Sequence, residues 1–264
     1  MSDITTDEKK TVFFTPYAIQ QTGIICSRCK LIIANQRVFC APYRLSENRV
    51  GIFLSLDVRE YNLFREKQSS FCFLSMEFQN RYALHPVSLF LQTTLVEIFP
   101  MKNRQNIYQA TVNVHNCPDE LSSIIKSYVM KYDTLQKKYD KYKECFIYLN
   151  SENRMLLPFT NYAVFVKGLL NYRIQIYKFS TQFLSYITPE LINLPVPGSL
   201  IDTCFAIGKH CLKIRGVVET IGILDADIAG VTIKNRFSPE FSEIVTHYFE
   251  NFTAQQMEFL YSPF

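Results

Sequence analysis

Pro118-Asp119-Glu120-Leu121-Ser122-Ser123-Ile124-Ile125-Lys126-Ser127-Tyr128 reappears, one residue shorter, as Pro239-Glu240-Phe241-Ser242-Glu243-Ile244-Val245-Thr246-His247-Tyr248. Both copies read as helix starts: proline fits a first turn, where its missing N–H costs nothing, and the acids that follow suit the positive end of the dipole. The text upstream of each copy also matches. Val87 to Val114 and Cys211 to Ile233 are both two apolar strands around a polar turn, and Tyr43-Arg44-Leu45-Ser46 echoes Tyr177-Lys178-Phe179-Ser180. Two copies of one strand-then-helix unit set the architecture, and a duplicated small barrel is more often a binding scaffold than a seat of chemistry.

Working outward from the first copy, the chain from Val12 to Asn116 is strand-like. Strands are expected over Gly23 to Ala34, Arg37 to Tyr43, Val50 to Leu56, Ser69 to Phe78, Val87 to Phe99 and Ile107 to Val114, separated by polar residues and prolines. Beyond Pro118 the apolar positions Leu121, Ile125, Tyr128, Tyr132, Leu135, Tyr139, Tyr142 and Phe146 are spaced by fours and threes, a heptad seam. A helix that long outruns one small barrel. Its second half must pack on the second unit, on a helix of its own protomer or on a second chain, so both a monomer and a homodimer through this helix are compatible with the seam.

The second unit is expected to carry strands over Tyr162 to Val166, Tyr172 to Phe179, Phe183 to Ile187, Ser199 to Ile207, Cys211 to Ile221 and Ile228 to Ile233. Leu194-Pro195-Val196-Pro197-Gly198 is its clearest turn, and the last helix offers Phe241, Ile244, Val245, Tyr248, Phe249 and Phe252 as a broad apolar stripe. The fold class is therefore mainly β with α: two antiparallel barrels of about six strands, each followed by a helix, joined by a long amphipathic helix. The expected boundaries are 12–132 for the first barrel and helix, 133–147 for the connector, and 148–264 for the second barrel and its capping helix.

At 264 residues, 48% hydrophobic and 20% charged, the chain is globular and long enough for two cores. A formal charge of +4 gives no argument for duplex DNA, although a compact phosphate ligand needs only two or three placed cations. The polar start, Met1 to Lys10, lacks the apolar core of a signal peptide, and nowhere do 18 apolar residues run together. A cytoplasmic protein without membrane insertion is expected, its eight cysteines reduced.

Chemistry-bearing motifs are sparse. Cys26-Ser27-Arg28-Cys29 is half a zinc site to which Cys40 adds a third thiolate, but no fourth ligand stands at metal spacing, and ordinary part-buried thiols are the simpler reading. His85, His115, His210 and His247 are far apart, none beside a nucleophile elbow. Asp225-Ala226-Asp227 pairs carboxylates in a hairpin turn, and no Gly-rich phosphate loop occurs. No catalytic residue and no metal ligand set is assigned, and an enzyme is not expected. Lys137, Lys138, Lys141 and Lys143 line the polar side of the connector near Asn150 and Arg154, either as a solvated face or as a cationic approach to the second unit.

The order of a charged residue, short strands, a strand pair ending in a G-x-V-type strand, then a Pro-acidic helix resembles the PilZ domain, a small barrel that is the receptor module for cyclic di-GMP. In the second unit the similarity rests on Arg154, Ala163 to Val166, Ile174 to Ser180, Pro197-Gly198 and Leu212-Lys213-Ile214-Arg215-Gly216-Val217-Val218. In the first it covers about Leu31 to Tyr128 and is looser. The tandem arrangement is similar to effectors in which a PilZ-like partner domain precedes a PilZ domain.

The family's ligand signature is R-x-x-x-R followed by [D/N]-x-S-x-x-G. Arginine forks take phosphate oxygens or a guanine edge, the acid or amide accepts from guanine, and the glycine admits close backbone approach. Here the first pattern falls on Asn150-Ser151-Glu152-Asn153-Arg154 and the second on Lys178-Phe179-Ser180-Thr181-Gln182-Phe183. The arginine pair and the closing glycine are thus reduced to Arg154 and a phenylalanine, and in the first unit only Arg44-Leu45-Ser46-Glu47-Asn48-Arg49 is comparable. The resemblance implies a non-enzymatic signalling receptor or adaptor with cyclic di-GMP as possible ligand, held by Asn150, Arg154, Lys178 and Ser180. The alternative is a degenerate scaffold that binds no nucleotide and works through an unidentified protein partner. A third reading, an unrelated tandem barrel that binds RNA, needs basic and aromatic residues interleaved on one strand face, which Tyr172 to Lys178 approaches.

Overall fold

The computed structural model describes residues 11–79, 85–149, 163–167, 170–189, 194–207, 210–225 and 227–251. The chain divides into two compact units, Met1–Tyr132 and Asp133–Phe264, and the division falls inside one helix.

In the first unit β1 (Val12–Phe13) leads into α1 (Pro16–Thr22). Its start is fixed by Thr15, whose Oγ1 accepts from the Ala18 N–H at 3.2 Å, with Pro16 in the first turn; Gly23 ends it in the left-handed region at φ 73°. A 3₁₀ turn at Cys26–Arg28 follows, then β2 (Lys30–Ile33), β3 (Gln36–Leu45) and β4 (Arg49–Ser55). Next comes α2 (Val58–Glu66), opened by a reciprocal capping box: Asp57 Oδ1 accepts from the Glu60 N–H at 2.7 Å, and Glu60 Oε2 accepts from the Asp57 N–H at 2.8 Å. Then come β5 (Phe71–Phe78), β6 (Val87–Pro100) and β7 (Ile107–Val114). Two expectations are corrected here. The run from Gly23 to Ala34 is a helix cap, a 3₁₀ turn and a four-residue strand rather than one strand, and two helices interrupt what read as continuous strand text.

The strands pair antiparallel in the order β3-β2-β5-β6-β7-β4, and β3 pairs again with β4, which closes a six-stranded barrel. Closure is possible because β3 is long: Gln36 to Phe39 pair with β2 while Cys40 to Leu45 pair with β4. Inward residues such as Leu31, Leu54, Leu74, Met76, Leu91 and Val112 fill it and are buried.

Helix α3 (Asp119–Tyr142) opens with the Ser122 N–H donating to the Pro118 carbonyl at 3.0 Å. In the first unit it buries Leu121, Ile125 and Tyr128, the last beside the Tyr17 ring. Its second half belongs to the second unit, where Leu135 and Tyr139 are buried. There Thr181 Oγ1 donates to the Tyr139 carbonyl at 2.8 Å, and the Tyr142 ring stacks on Phe249, 4.8 Å between centroids at 4°. The helix ends at Tyr142, so Phe146 lies past the seam rather than on it.

The second unit continues through β8 (Ile147–Tyr148), β9 (Ala163–Lys167), β10 (Leu170–Phe179), β11 (Phe183–Thr188), β12 (Leu200–Ile207), β13 (His210–Asp225), β14 (Ile228–Asn235) and α4 (Pro239–Asn251). Its sheet runs β11-β14-β13-β12-β9-β10-β8, with β10 also paired antiparallel to β11. Strand for strand this repeats the pairing order of the first unit, β8 to β14 standing where β1 to β7 stand, with β10 paired to β9 on its first part and β11 on its last as β3 is to β2 and β4. Helix α4 has Pro239 in its first turn and the Phe241 N–H donating to Ser238 Oγ at 3.4 Å; Phe241, Val245 and Phe249 are buried in the core with Ile176, Phe179 and Ile233. Of the expected stripe, the Tyr248 side chain and Phe252 lie outside the described residues.

Candidate ligand-binding site

The segment singled out by the sequence lies at the C-terminal end of β10. There β8 is added to the strand, with Tyr148 opposite Lys178 and Ile147 opposite Phe179, and the Leu149 N–H donates to the Tyr177 carbonyl at 2.7 Å. The chain therefore passes beside Lys178 immediately before Asn150. Asn150 and Arg154 themselves lie outside the described residues.

Lys178 projects from a bulge, since the register with β11 shifts between Ile176 and Lys178. Its ammonium stands over two rings, 4.4 Å from the Phe146 centroid and 5.5 Å from that of Tyr148. Phe146 lies 6.0 Å from Phe183, and the ammonium of Lys234, which is opposite Phe183 across β11 and β14, stands 5.8 Å from the Phe183 ring. Two cations and three rings thus meet at one end of the sheet. Such a surface can hold an anionic group on the ammoniums and a flat heteroaromatic on the rings.

Ser180 has a different place. It is fully buried, its Oγ donating to the Lys143 carbonyl at 2.7 Å and accepting from the Phe183 N–H at 2.9 Å and the Gln182 N–H at 3.2 Å. Its hydroxyl shapes the β10–β11 turn and ties it to the chain just past α3. The polar side of α3 is partly engaged within the unit: Lys138 pairs with Glu250 at 2.7 Å, and the Lys141 ammonium stands 4.7 Å from the Tyr142 ring.

The other charged cluster of this unit is structural in character. Asp202 is opposite Arg215 across β12 and β13, 2.7 Å from its Nε and 3.1 Å from its Nη2, with Lys213 Nζ at 2.9 Å. The Arg215 hydrogen bonds, aided by Lys213 against partial burial, hold the Asp202 carboxyl down to about 2.

The thiols of the first unit are quiet. Cys26 opens a 3₁₀ turn and Cys29 follows it, rather than both lying along a strand, and burial pushes Cys29 up to about 11 and Cys40 higher still. Among the described residues no three His, Cys, Asp or Glu side chains group to hold a metal ion, and no helix is long and apolar enough to cross a membrane.

Lys178 and Ser180 stood out in the sequence through the resemblance of the Lys178–Phe183 segment to the [D/N]-x-S-x-x-G pattern, whereas Phe146, Tyr148 and Lys234 did not stand out as site residues. These arrive through strand pairing, for which nothing local in the text is a signal.

No family model and no curated protein matches the chain. Among solved structures it is similar to the PlzA protein of Borreliella burgdorferi in complex with c-di-GMP, with 13% identity and a TM-score of 0.41 over 90% of this chain and 93% of that one. It is also similar to the MrkH–c-di-GMP complex of K. pneumonia, with 10% identity and a TM-score of 0.34 over 84% and 85% of the two chains. A third is YcgR from Escherichia coli in complex with c-di-GMP, with 10% identity and a TM-score of 0.31 over 94% of each chain.

Proposed function

We propose that this chain is a non-enzymatic component of bacterial cyclic di-GMP signalling, built of two PilZ-like barrels with the ligand site in the second. The observation that carries the reading is the placement of Lys178: at a bulge, over the Phe146 and Tyr148 rings, beside the strand that runs into Asn150. Arg154 takes phosphate or a guanine edge, Lys178 takes phosphate, and Asn150 is a lesser hydrogen-bonding partner. Phe183 stands where the family's motif has glycine, so a purine here stacks on a ring instead of lying against backbone. Ser180 acts from beneath, holding the turn, and its bond to the Lys143 carbonyl carries any shift of that turn to the chain that follows α3.

A second reading is supported by the same serine. With its hydroxyl committed inside the unit and Phe183 filling the glycine position, the barrel also suits a scaffold that has given up nucleotide and binds protein alone. Calorimetric titration with cyclic di-GMP, beside Arg154→Ala and Lys178→Ala, separates the two. Binding at micromolar or tighter affinity that both substitutions abolish supports the receptor; absence of heat and of thermal stabilisation at saturating ligand sinks it and leaves the scaffold.

A further inference from the structure

The outer face of the first barrel carries an array that the second-unit site does not account for. Inner positions of β2, β5 and β6 are Leu31, Leu74 and Leu91, so residues on either side of each point outward. Two cross-strand rows result. Phe39, Lys30, Ser75 and Phe90 stand side by side across β3, β2, β5 and β6, and Arg37, Ile32, Phe73 and Gln92 form the next row. Phe71, opposite Thr94, continues the array one step further along β5.

The rings are open to solvent: Phe39 is 65% exposed, Phe90 66%, Phe71 53% and Phe73 40%. Phe71 and Phe73 meet edge to face at 5.2 Å, His115 stacks on Phe71 at 5.8 Å and 14°, and the Lys30 ammonium lies 5.3 Å from the Phe39 centroid. Phe39 and Phe90 are three strand spacings apart, roughly 14 Å, enough for two or three unstacked bases. On the outward positions of β2, β5 and β6 up to Thr94 the acid is Glu77, and Arg28 pairs with it at 3.0 Å, so Lys30 and Arg37 set the sign of the face.

Four exposed rings on a sheet face call for a flat partner or an apolar one, and the cations decide between them. Lysine is depleted from the cores of protein interfaces, yet Lys30 sits within this patch, between Phe39 and the β5 strand. A stacking platform for nucleic acid has the opposite requirement: rings for bases with cations interleaved for phosphates. We infer that the outer β3-β2-β5-β6 face of the first barrel binds a short stretch of single-stranded nucleic acid, bases on Phe71, Phe73 and Phe90, phosphates on Lys30 and Arg37. This goes beyond the cyclic di-GMP reading and stands on a different unit.

The test is fluorescence anisotropy of labelled oligo(U) and, in a parallel arm, oligo(dT), each of about 12 nucleotides, titrated with the full chain. Binding is expected at micromolar concentration, weakening about sevenfold between 50 and 200 mM salt if two phosphates are neutralised. The Phe71→Ala, Phe73→Ala double variant is expected to lose at least about tenfold in affinity, and Lys30→Ala, Arg37→Ala to flatten the salt dependence. All four side chains are outside the core, and unchanged thermal midpoints show that the variants fold. Preference for oligo(U) or oligo(dT) names the natural strand, and equal binding means the sugar is not read; each supports the inference. No anisotropy change up to about 100 µM protein, as expected of a protein- or lipid-docking face, overturns it, as does binding that the phenylalanine variants leave intact.

Discussion

Ser46 and Ser180 close the same turn in the two units. Ser46 Oγ accepts from the Arg49 N–H at 3.1 Å while the Ser46 N–H donates to the Arg49 carbonyl at 2.8 Å; for Ser180 and Phe183 the two distances are 2.9 and 2.8 Å. Ser180→Ala removes the partner of the Phe183 amide and the donor to Lys143, which costs roughly 1–3 kcal/mol where buried groups are left unmade. A lowered thermal midpoint, with hydrogen exchange accelerating in β10 and β11 and unchanged in β3 and β4, is the expected result. Ser46→Ala should reverse that pattern.

Gly216 lies where a side chain has no room. A Cβ there would stand 2.3 Å from Ile233 Cγ2 and 2.8 Å from the Lys234 carbonyl oxygen, so β13 and β14 must part to admit it. Gly216→Ala is expected to destabilise by roughly 1–3 kcal/mol in chemical denaturation, as overpacking does. Gly222, on the same strand, meets nothing within 4 Å, and its alanine variant should stay within about 0.5 kcal/mol of the parent.

The Asp202–Arg215 pair sets an acid limit on the second unit. Because the folded-state carboxyl is held down to about 2, its stabilising contribution is present above the ordinary aspartate range and is lost as pH falls toward 2. Arg215→Ala should let the Asp202 carboxyl titrate nearer the usual aspartate value, read by NMR of the side-chain carbon. It should also flatten the fall in thermal midpoint between about pH 4 and pH 2.

Thiol labelling checks the quiet reading of the cysteines. Burial raises Cys29 to about 11 and raises Cys40 and Cys72, whereas Cys211 is exposed. Iodoacetamide near pH 8 should therefore modify Cys211 first and reach Cys29, Cys40 and Cys72 only on unfolding, followed by peptide mass spectrometry.

The parts of the fold legible in the sequence are those written in local patterns. The proline-acid starts mark α3 and α4, and the strand over Ile107 to Val114 matches β7 end to end. The seam at Leu121, Ile125, Tyr128, Leu135 and Tyr139 is buried as its spacing requires. Helix α2 carries a local signal, Asp57 and Glu60 at capping-box spacing, that went unread, since the expected strands leave 57–68 as a connection between them. Helix α1 is only seven residues, and its signals, Thr15-Pro16 and Gly23, also suit a turn. The site was half legible: Lys178 follows from the resemblance of the Lys178–Phe183 segment to the family pattern, whereas Phe146, Tyr148 and Lys234 join it through pairings that no local period records. The outer array of the first barrel was hidden for the same reason. Arg37 and Phe39 share β3 and Phe71 and Phe73 share β5, but only pairing brings them beside Lys30 and Phe90.

Hydrogen exchange of the full chain with and without saturating cyclic di-GMP tests the central claim most directly, because it reads both binding and its place. The account predicts slowed exchange in β8 and in the turn from Ser180 to Phe183, lost in Lys178→Ala. An exchange pattern unchanged by ligand, or protection confined to the first unit, would contradict it.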